Sequence, residues 1–204
     1  MLCVAGDVEV TMLTFREGNP NDATNLALIL DTAGRRIPAY FWSHYAAQGQ
    51  SFFEFGREKI RNEPDTGSYC KNWSVGEVNS ELVGAFFGFI VDNPYPEIDY
   101  ENEPDWWIPF LELEKIASGS WLLQAISILP EYRGKGLAKE FLAKTDEVAR
   151  SEGVTNITLQ VEEINHIALK TYKSHGFSEI ARKKLIPFSF SDDTGDIVLM
   201  RKAI

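Results

Sequence analysis

The stretch Ile126-Ser-Ile-Leu-Pro-Glu-Tyr-Arg-Gly-Lys-Gly-Leu-Ala138 decides how this chain is read, because an apolar strand runs through a Gly-bracketed basic turn straight into a helix. A helix start leaves its first N–H groups without intrahelical partners and carries the positive end of the helix dipole, so it suits an anion such as a phosphate. Gly134 and Gly136 remove the Cβ atoms that would hold a ligand off, and Arg133 and Lys135 add positive charge. The helix that follows sets Leu137, Phe141, Leu142, Thr145 and Val148 on roughly one face and meets Gly153 as its C-cap. A Walker A loop needs G-x-x-x-x-G-K-[ST], which nothing here fits, and a dinucleotide fingerprint needs a third small residue where Lys139 stands. Taken alone, Arg-Gly-Lys-Gly also reads as a solvated strand-to-helix turn.

A second motif follows after about thirty residues, a spacing that fits strand, helix, strand, helix. Asn156-Ile-Thr-Leu-Gln-Val161 alternates as a strand does, and Asn165 to Gly176 reads as a short helix with Asn165 as N-cap and Ala168 and Tyr172 on one face. Phe177 opens the next strand. Together the two segments resemble the GNAT acetyltransferase superfamily. Arg133, Gly136 and Ala138 match its R/Q-x-x-G-x-G/A loop; Asn165, Ala168, Tyr172, Gly176 and Phe177 match its N-x-x-A-x-x-x-Y-x-x-x-G-F segment. The resemblance is clear from Trp121 to Lys184 and weaker over most of the chain.

The resemblance implies an α+β fold, with a twisted, mixed and mostly antiparallel sheet of six or seven strands flanked by helices, and a V-shaped acetyl-CoA cleft between the central strands. It implies acetyl transfer to a primary amine of a small molecule or peptide, by direct attack in a ternary complex. Arg133, Gly134, Lys135, Gly136, Leu137 and Ala138 would hold the pyrophosphate; Ile126, Ser127 and Ile128 would pair with the pantetheine arm as another strand would. Tyr172 is the expected proton donor to the CoA thiolate, although its position also fits a core aromatic. Asn165 either contacts the pantetheine arm or simply caps its helix. No carboxylate occupies Ser120, Leu122 or Gln124, the same-parity positions of the central strand, so Gln124 is expected to orient a water. Glu162 or Glu163, or Glu112 and Glu114 upstream, would end the proton relay; Gln124 and Glu162 are the catalytic pair taken forward with Tyr172. Acetyl-CoA enters as cosubstrate, with no metal. A silent acyl-CoA sensor and a transferase for longer acyl-CoAs are the rival functions. Exposed tail strands in this superfamily often pair across a dimer, so a homodimer is a further expectation.

Outside these motifs, Thr14-Phe-Arg-Glu reads as a first strand, and Asn19-Pro-Asn-Asp-Ala as the capped start of a helix that stops before Gly34, with Pro20 at its first position. Pro38 to Gln48 and Ser51 to Asn62 read as two more helices. Tyr69 to Val78 and Leu82 to Val91 form a hairpin about Asn79-Ser80, and Glu179 to Leu185 and Ile197 to Lys202 close the sheet around a polar turn at Ser191 to Gly195. The region from Asp92 to Gly119 resists placement.

A length of 204 residues with 44% hydrophobic content and no linker or repeat predicts one domain over 1–204, with 1–11 as an extension or extra strand. No signal peptide or membrane-length apolar run is visible, which predicts a soluble cytoplasmic protein without a membrane partner. A net charge of −10 argues against nucleic acid as a partner. Cys3 and Cys70 read as free thiols, since no CxxC or His pair accompanies them. The acids from Asp92 to Glu114 read either as a solvated loop or as a gate that concentrates a cationic amine. Trp106, Trp107 and Phe110 among them are either core anchors or an amine cage.

Overall fold

The computed structural model describes residues 12–191 and 194–204. The expected N-terminal extension, Cys3, and Asp192 and Asp193 of the tail turn lie outside them. Seven strands form one sheet: β1 (Thr14–Glu17), β2 (Ser74–Val78), β3 (Glu81–Ile90), β4 (Trp121–Ile128), β5 (Asn156–Glu162), β6 (Ser178–Lys184) and β7 (Asp196–Ala203). Their order is β1-β2-β3-β4-β5-β7-β6, antiparallel everywhere except between β4 and β5. This is the mixed, mostly antiparallel α+β arrangement expected.

The helices are α1 (Ala23–Ala33), α2 (Ile37–Tyr45), α3 (Phe52–Asn62), α4 (Ile108–Ile116), α5 (Leu137–Ser151) and α6 (His166–Ser174). A 3-10 turn, Pro20–Asp22, leads into α1 and is closed by a capping box in which Asn19 Oδ1 accepts from Asn21 N and Asp22 Oδ2 accepts from Asn19 N. Ser51 caps α3 by accepting from Glu54 N. Gly34 follows α1 as expected, yet the left-handed residues there are Arg35 and Arg36, with φ of 46° and 74°. Asn79 and Ser80, with φ of 53° and 65°, give the β2–β3 hairpin the doubly left-handed turn that matches strand twist.

One expectation needs correcting, and one unplaced region acquires a structure. Tyr69 to Trp73 is not strand: Cys70–Asn72 forms a 3-10 turn, with Trp73 Nε1 donating to Ser68 O and the indole buried under α1. Burial of the indole takes precedence over the β-favouring composition. Within Asp92 to Gly119 lies a helix, α4, with Pro109 in its first turn and Leu113 buried against Leu122, Ile197 and Leu199.

The sheet separates two main cores. Helix α5 covers one face, where Phe141 and Leu142 pack on Phe86, Trp121, Leu123 and Leu159. Gly76 and Gly84 make room for the Phe141 ring, since a Cβ at either would run into it. On the other face α1 to α3 bury Leu26, Ile29, Trp42 and Ile60 against Val75, Ala85, Phe87 and Ala125.

Candidate active site

Parallel pairing of β4 with β5 is limited to Trp121 with Ile157 and Leu122 with Thr158. Past that point the strands diverge. In the β3–β4 register Phe87 faces Ala125 and Gly88 faces Leu123, so Gln124 is an extra residue in a β-bulge. A bulge adds twist and bends its strand away, which opens the seam.

The diverging edges carry unpaired backbone. Leu129 N donates to Val83 O at 2.9 Å, so strand alternation turns the N–H and C=O of Ile126 and Ile128 away from β3 into the gap. Across it, Glu163 N donates to Asp196 O on the β7 side, which turns Gln160 and Glu162 toward the same gap. The resulting cleft, about 380 Å³, is lined by Ile126, Ser127, Ile128, Arg133, Asn165 and Tyr172, and also by Ala138.

At its mouth the chain makes a 3-10 turn, Pro130–Tyr132, before the glycines. Gly134 and Gly136 have φ of 75° and 83°, and a Cβ at either would meet no protein atom within 4 Å. Backbone conformation, not packing, therefore demands glycine, and each would-be side chain points into open space. Gly136 is the N-cap of α5 and supplies no side-chain cap, so the first N–H groups of a 15-residue helix face outward. Arg133 and Ala138, which flank Gly134, Lys135 and Gly136 in the chain, line the cleft, while those three are not among its lining residues and Leu137 packs toward the core. The two basic side chains are held by the protein itself: Arg133 Nε donates to Ile128 O at 2.8 Å, and Lys135 Nζ sits 4.9 Å from the centre of the Tyr132 ring. Asn165 Oδ1 caps α6 by accepting from Ala168 N at 3.2 Å. Tyr172 has its phenol pKa pushed up to about 12, first by burial and then by the nearby Glu162 carboxylate.

A second cavity of about 100 Å³ adjoins the first on the α1 and α4 side; Ala33, Gln160 and Glu162 line both. Gln124 projects from the bulge into it, and Glu114 joins from α4. Of the carboxylates expected to end a relay, Glu112 is paired with Lys183 at 2.8 Å and Glu163 with Arg182 at 3.2 Å, and neither lines the cavity. Glu162 reaches it but lies 3.6 Å from Arg35 Nε. Glu114 reaches it with Tyr95 Oη donating to Oε1 at 3.2 Å; burial raises its pKa above the usual carboxylate value, that hydrogen bond lowers it, and Asp92 raises it.

A sequence model of the Acetyltransferase (GNAT) family matches residues 36–177. The chain belongs to this family. A curated relative, an uncharacterized N-acetyltransferase of Bacillus subtilis (strain 168) called YycN, is 46% identical over 57 residues, which are 26% of this chain and 36% of the relative. The matched segment thus spans little more than a third of that relative's length. Among solved structures, a spermidine N-acetyltransferase from Vibrio cholerae in complex with CoA and spermine has a TM-score of 0.58 at 20% identity, over 94% of this chain and 95% of that one. A ribosomal-protein-alanine N-acetyltransferase from Brucella melitensis has a TM-score of 0.59 at 19% identity, over 94% and 99%. At these identities the likeness is one of fold.

In this GNAT chain the acidic segment resolves residue by residue. Asp99 accepts from the backbone of Glu101 and Asn102 and from the Asn102 side chain, within its own turn. Trp106 is a buried anchor, stacked on Phe188 with centroids 4.6 Å apart and edge-on to Tyr40 at 4.9 Å, not part of an amine cage. Trp107 and Phe110, stacked at 5.0 Å, do line the cavity. Gln160 was not among the residues expected at the site. The one sequence signal for it is its even position in β5, shared with Glu162.

Proposed function

We propose that the chain transfers an acetyl group from acetyl-CoA to a primary amine. The observation that carries this reading is the unpaired edge of β4, running from Ile126 into the uncapped start of α5: backbone donors for an extended amide-bearing arm lead directly to donors for a diphosphate. The CoA bound in the Vibrio cholerae structure, a neighbour in fold, supports it.

Residue roles follow from position. Ser127 and Ile128 border the pantetheine arm, and the Ile126 N–H polarises the thioester oxygen and holds its charge in the tetrahedral state. Arg133 keeps the end of β4 in place through Ile128 O. An ammonium has no lone pair, so the acceptor first gives a proton to a carboxylate, directly or through a water held by Gln124. Glu114, which no cation neutralises among the described residues, suits this better than Glu162 beside Arg35. As the C–N bond forms and the C–S bond breaks, the Tyr172 phenol protonates the departing thiolate. The second proton, shed by nitrogen, returns to Tyr172, so nitrogen ends neutral as an amide and sulfur as a thiol. Burial raises the phenol and raises a thiol formed beside it in the same direction.

Free thiol released from acetyl-CoA should appear only with amine present, at one thiol per acetylated amine. Calorimetry showing that the folded chain does not bind CoA would remove the proposal. Binding without amine-dependent release would favour a sensor instead.

A further inference from the structure

Gln160 stands where the two cavities meet. Its Nε2 donates to Phe110 O at 3.0 Å, which fixes the amide the right way round, since a reversed amide would set two acceptors face to face. Its Oε1 is buried and accepts no hydrogen bond among the described residues. A buried acceptor left without a donor is costly, and where two cavities meet the donor can come from a bound ligand or from water. The Glu114 carboxylate lines the same cavity, oriented by Tyr95. Much of the remaining wall is apolar, built from Leu30, Ile37, Pro38, Trp107 and Phe110.

Building on the acetyl-transfer reading, we propose that this cavity is the acceptor site for a compact primary amine with an apolar body and no carboxylate, whose nitrogen donates to Gln160 Oε1 and Glu114. Size, charge and wall each narrow the class. A cavity of 150 Å³ holds benzene, so about 100 Å³ suits a body of roughly four carbons, with the nitrogen-bearing end at Gln160, where the two cavities meet. An α-carboxylate one carbon from the nitrogen would face Glu114, whose charge no cation offsets among the described residues, and Arg35, which pairs with Glu162, does not line the cavity. A polyamine would carry further ammonium groups into a cavity whose described carboxylates, Glu114 and the Arg35-paired Glu162, offer one free counter-charge, and would set the rest against a mostly apolar wall, away from water.

The test uses the whole chain with acetyl-CoA and three acceptors: isopentylamine, leucine (the same skeleton with a carboxylate) and spermidine. Isopentylamine should have a kcat/KM at least about tenfold above the other two, a discrimination within the reach of one pocket. Gln160→Ala should raise its KM about tenfold, with CoA affinity by calorimetry unchanged. Gln160→Met, which keeps the volume and removes the acceptor, serves if the alanine variant does not fold. Preference for leucine or spermidine, turnover of none of the three, or an unchanged KM in the Gln160 variants overturns the proposal while CoA binding leaves acetyl transfer standing. Loss of CoA binding in the unaltered chain overturns both.

Discussion

Tyr172 is held in a site that keeps its proton on. With a pKa pushed up to about 12 it enters the reaction protonated, as a donor, and the phenolate left behind is basic enough to recover the proton shed by nitrogen. Tyr172→Phe should lower kcat by about a hundredfold or more, the usual worth of a general acid, with CoA affinity unchanged by calorimetry. Glu114 shows the opposite balance between stability and use. Its pKa is raised in the folded chain, chiefly by burial, so the native state holds its proton to higher pH than the unfolded state does. Stability is therefore greatest below the ordinary glutamate value and falls as pH rises through the raised one. Glu114→Gln keeps an acceptor for Tyr95 and removes the buried charge. It should stabilise the chain at pH 7 by about 0.5–2 kcal/mol, flatten that part of the pH–stability curve, and slow acetyl transfer. Urea titrations at pH 4, 5.5 and 7 check the first two. Both residues were legible in the sequence, Tyr172 through its motif and Glu114 as one of several acids. What singles out Glu114, its place on a cavity wall, depends on residues far off in the chain.

At the level of elements, the turn into α5 is the piece most sharply written in the sequence. Glycines at 134 and 136 answer a local demand, a positive φ, that no distant contact modifies. Gly136→Ala should cost about 1–2 kcal/mol of stability from the left-handed backbone alone, and a further loss of CoA affinity should appear because the new methyl points outward from the helix start. Thermal unfolding and calorimetry separate the two effects. Helix α4 is the contrary case. Acids surround it, so local composition suggests a loop, even though Pro109 suits the first turn of a helix. It is a helix because Leu113 and Ala117 are wholly buried against Leu122, Ile197 and Leu199, from strands at other points in the chain. The same holds for Tyr69 to Trp73, whose β-like composition yields to burial of the Trp73 indole.

For the whole molecule the decisive feature is a sheet nearly divided at its centre, with β4 and β5 joined at only two residue pairs. The halves are kept together by α5, which packs on strands from both sides of the seam. A ligand strand along β4 would add bonds where the sheet has fewest. CoA at a hundred times its Kd should therefore raise stability by about 2.7 kcal/mol, which for a chain of this size is a rise in Tm of about 5–10 °C. A smaller rise for CoA lacking its diphosphate, measured at equal ligand concentration, would place part of the linkage at the α5 start.

By itself the sequence determined the short-range features: the strand-to-helix anion turn, the N-caps at Asn19, Ser51 and Asn165, the hairpin at Asn79-Ser80, and the motif residues from Arg133 to Phe177. Each rests on the conformation of a few adjacent residues, and adjacent residues are what a sequence displays. Only the tertiary structure decided that β4 bulges at Gln124, that Glu162 faces Arg35 while Glu114 stays unneutralised among the described residues, that Trp106 is an anchor and Trp107 a wall, and that Gln160 keeps a buried oxygen free between two cavities. Those facts depend on which surfaces meet, and burial is settled between elements that lie tens of residues apart.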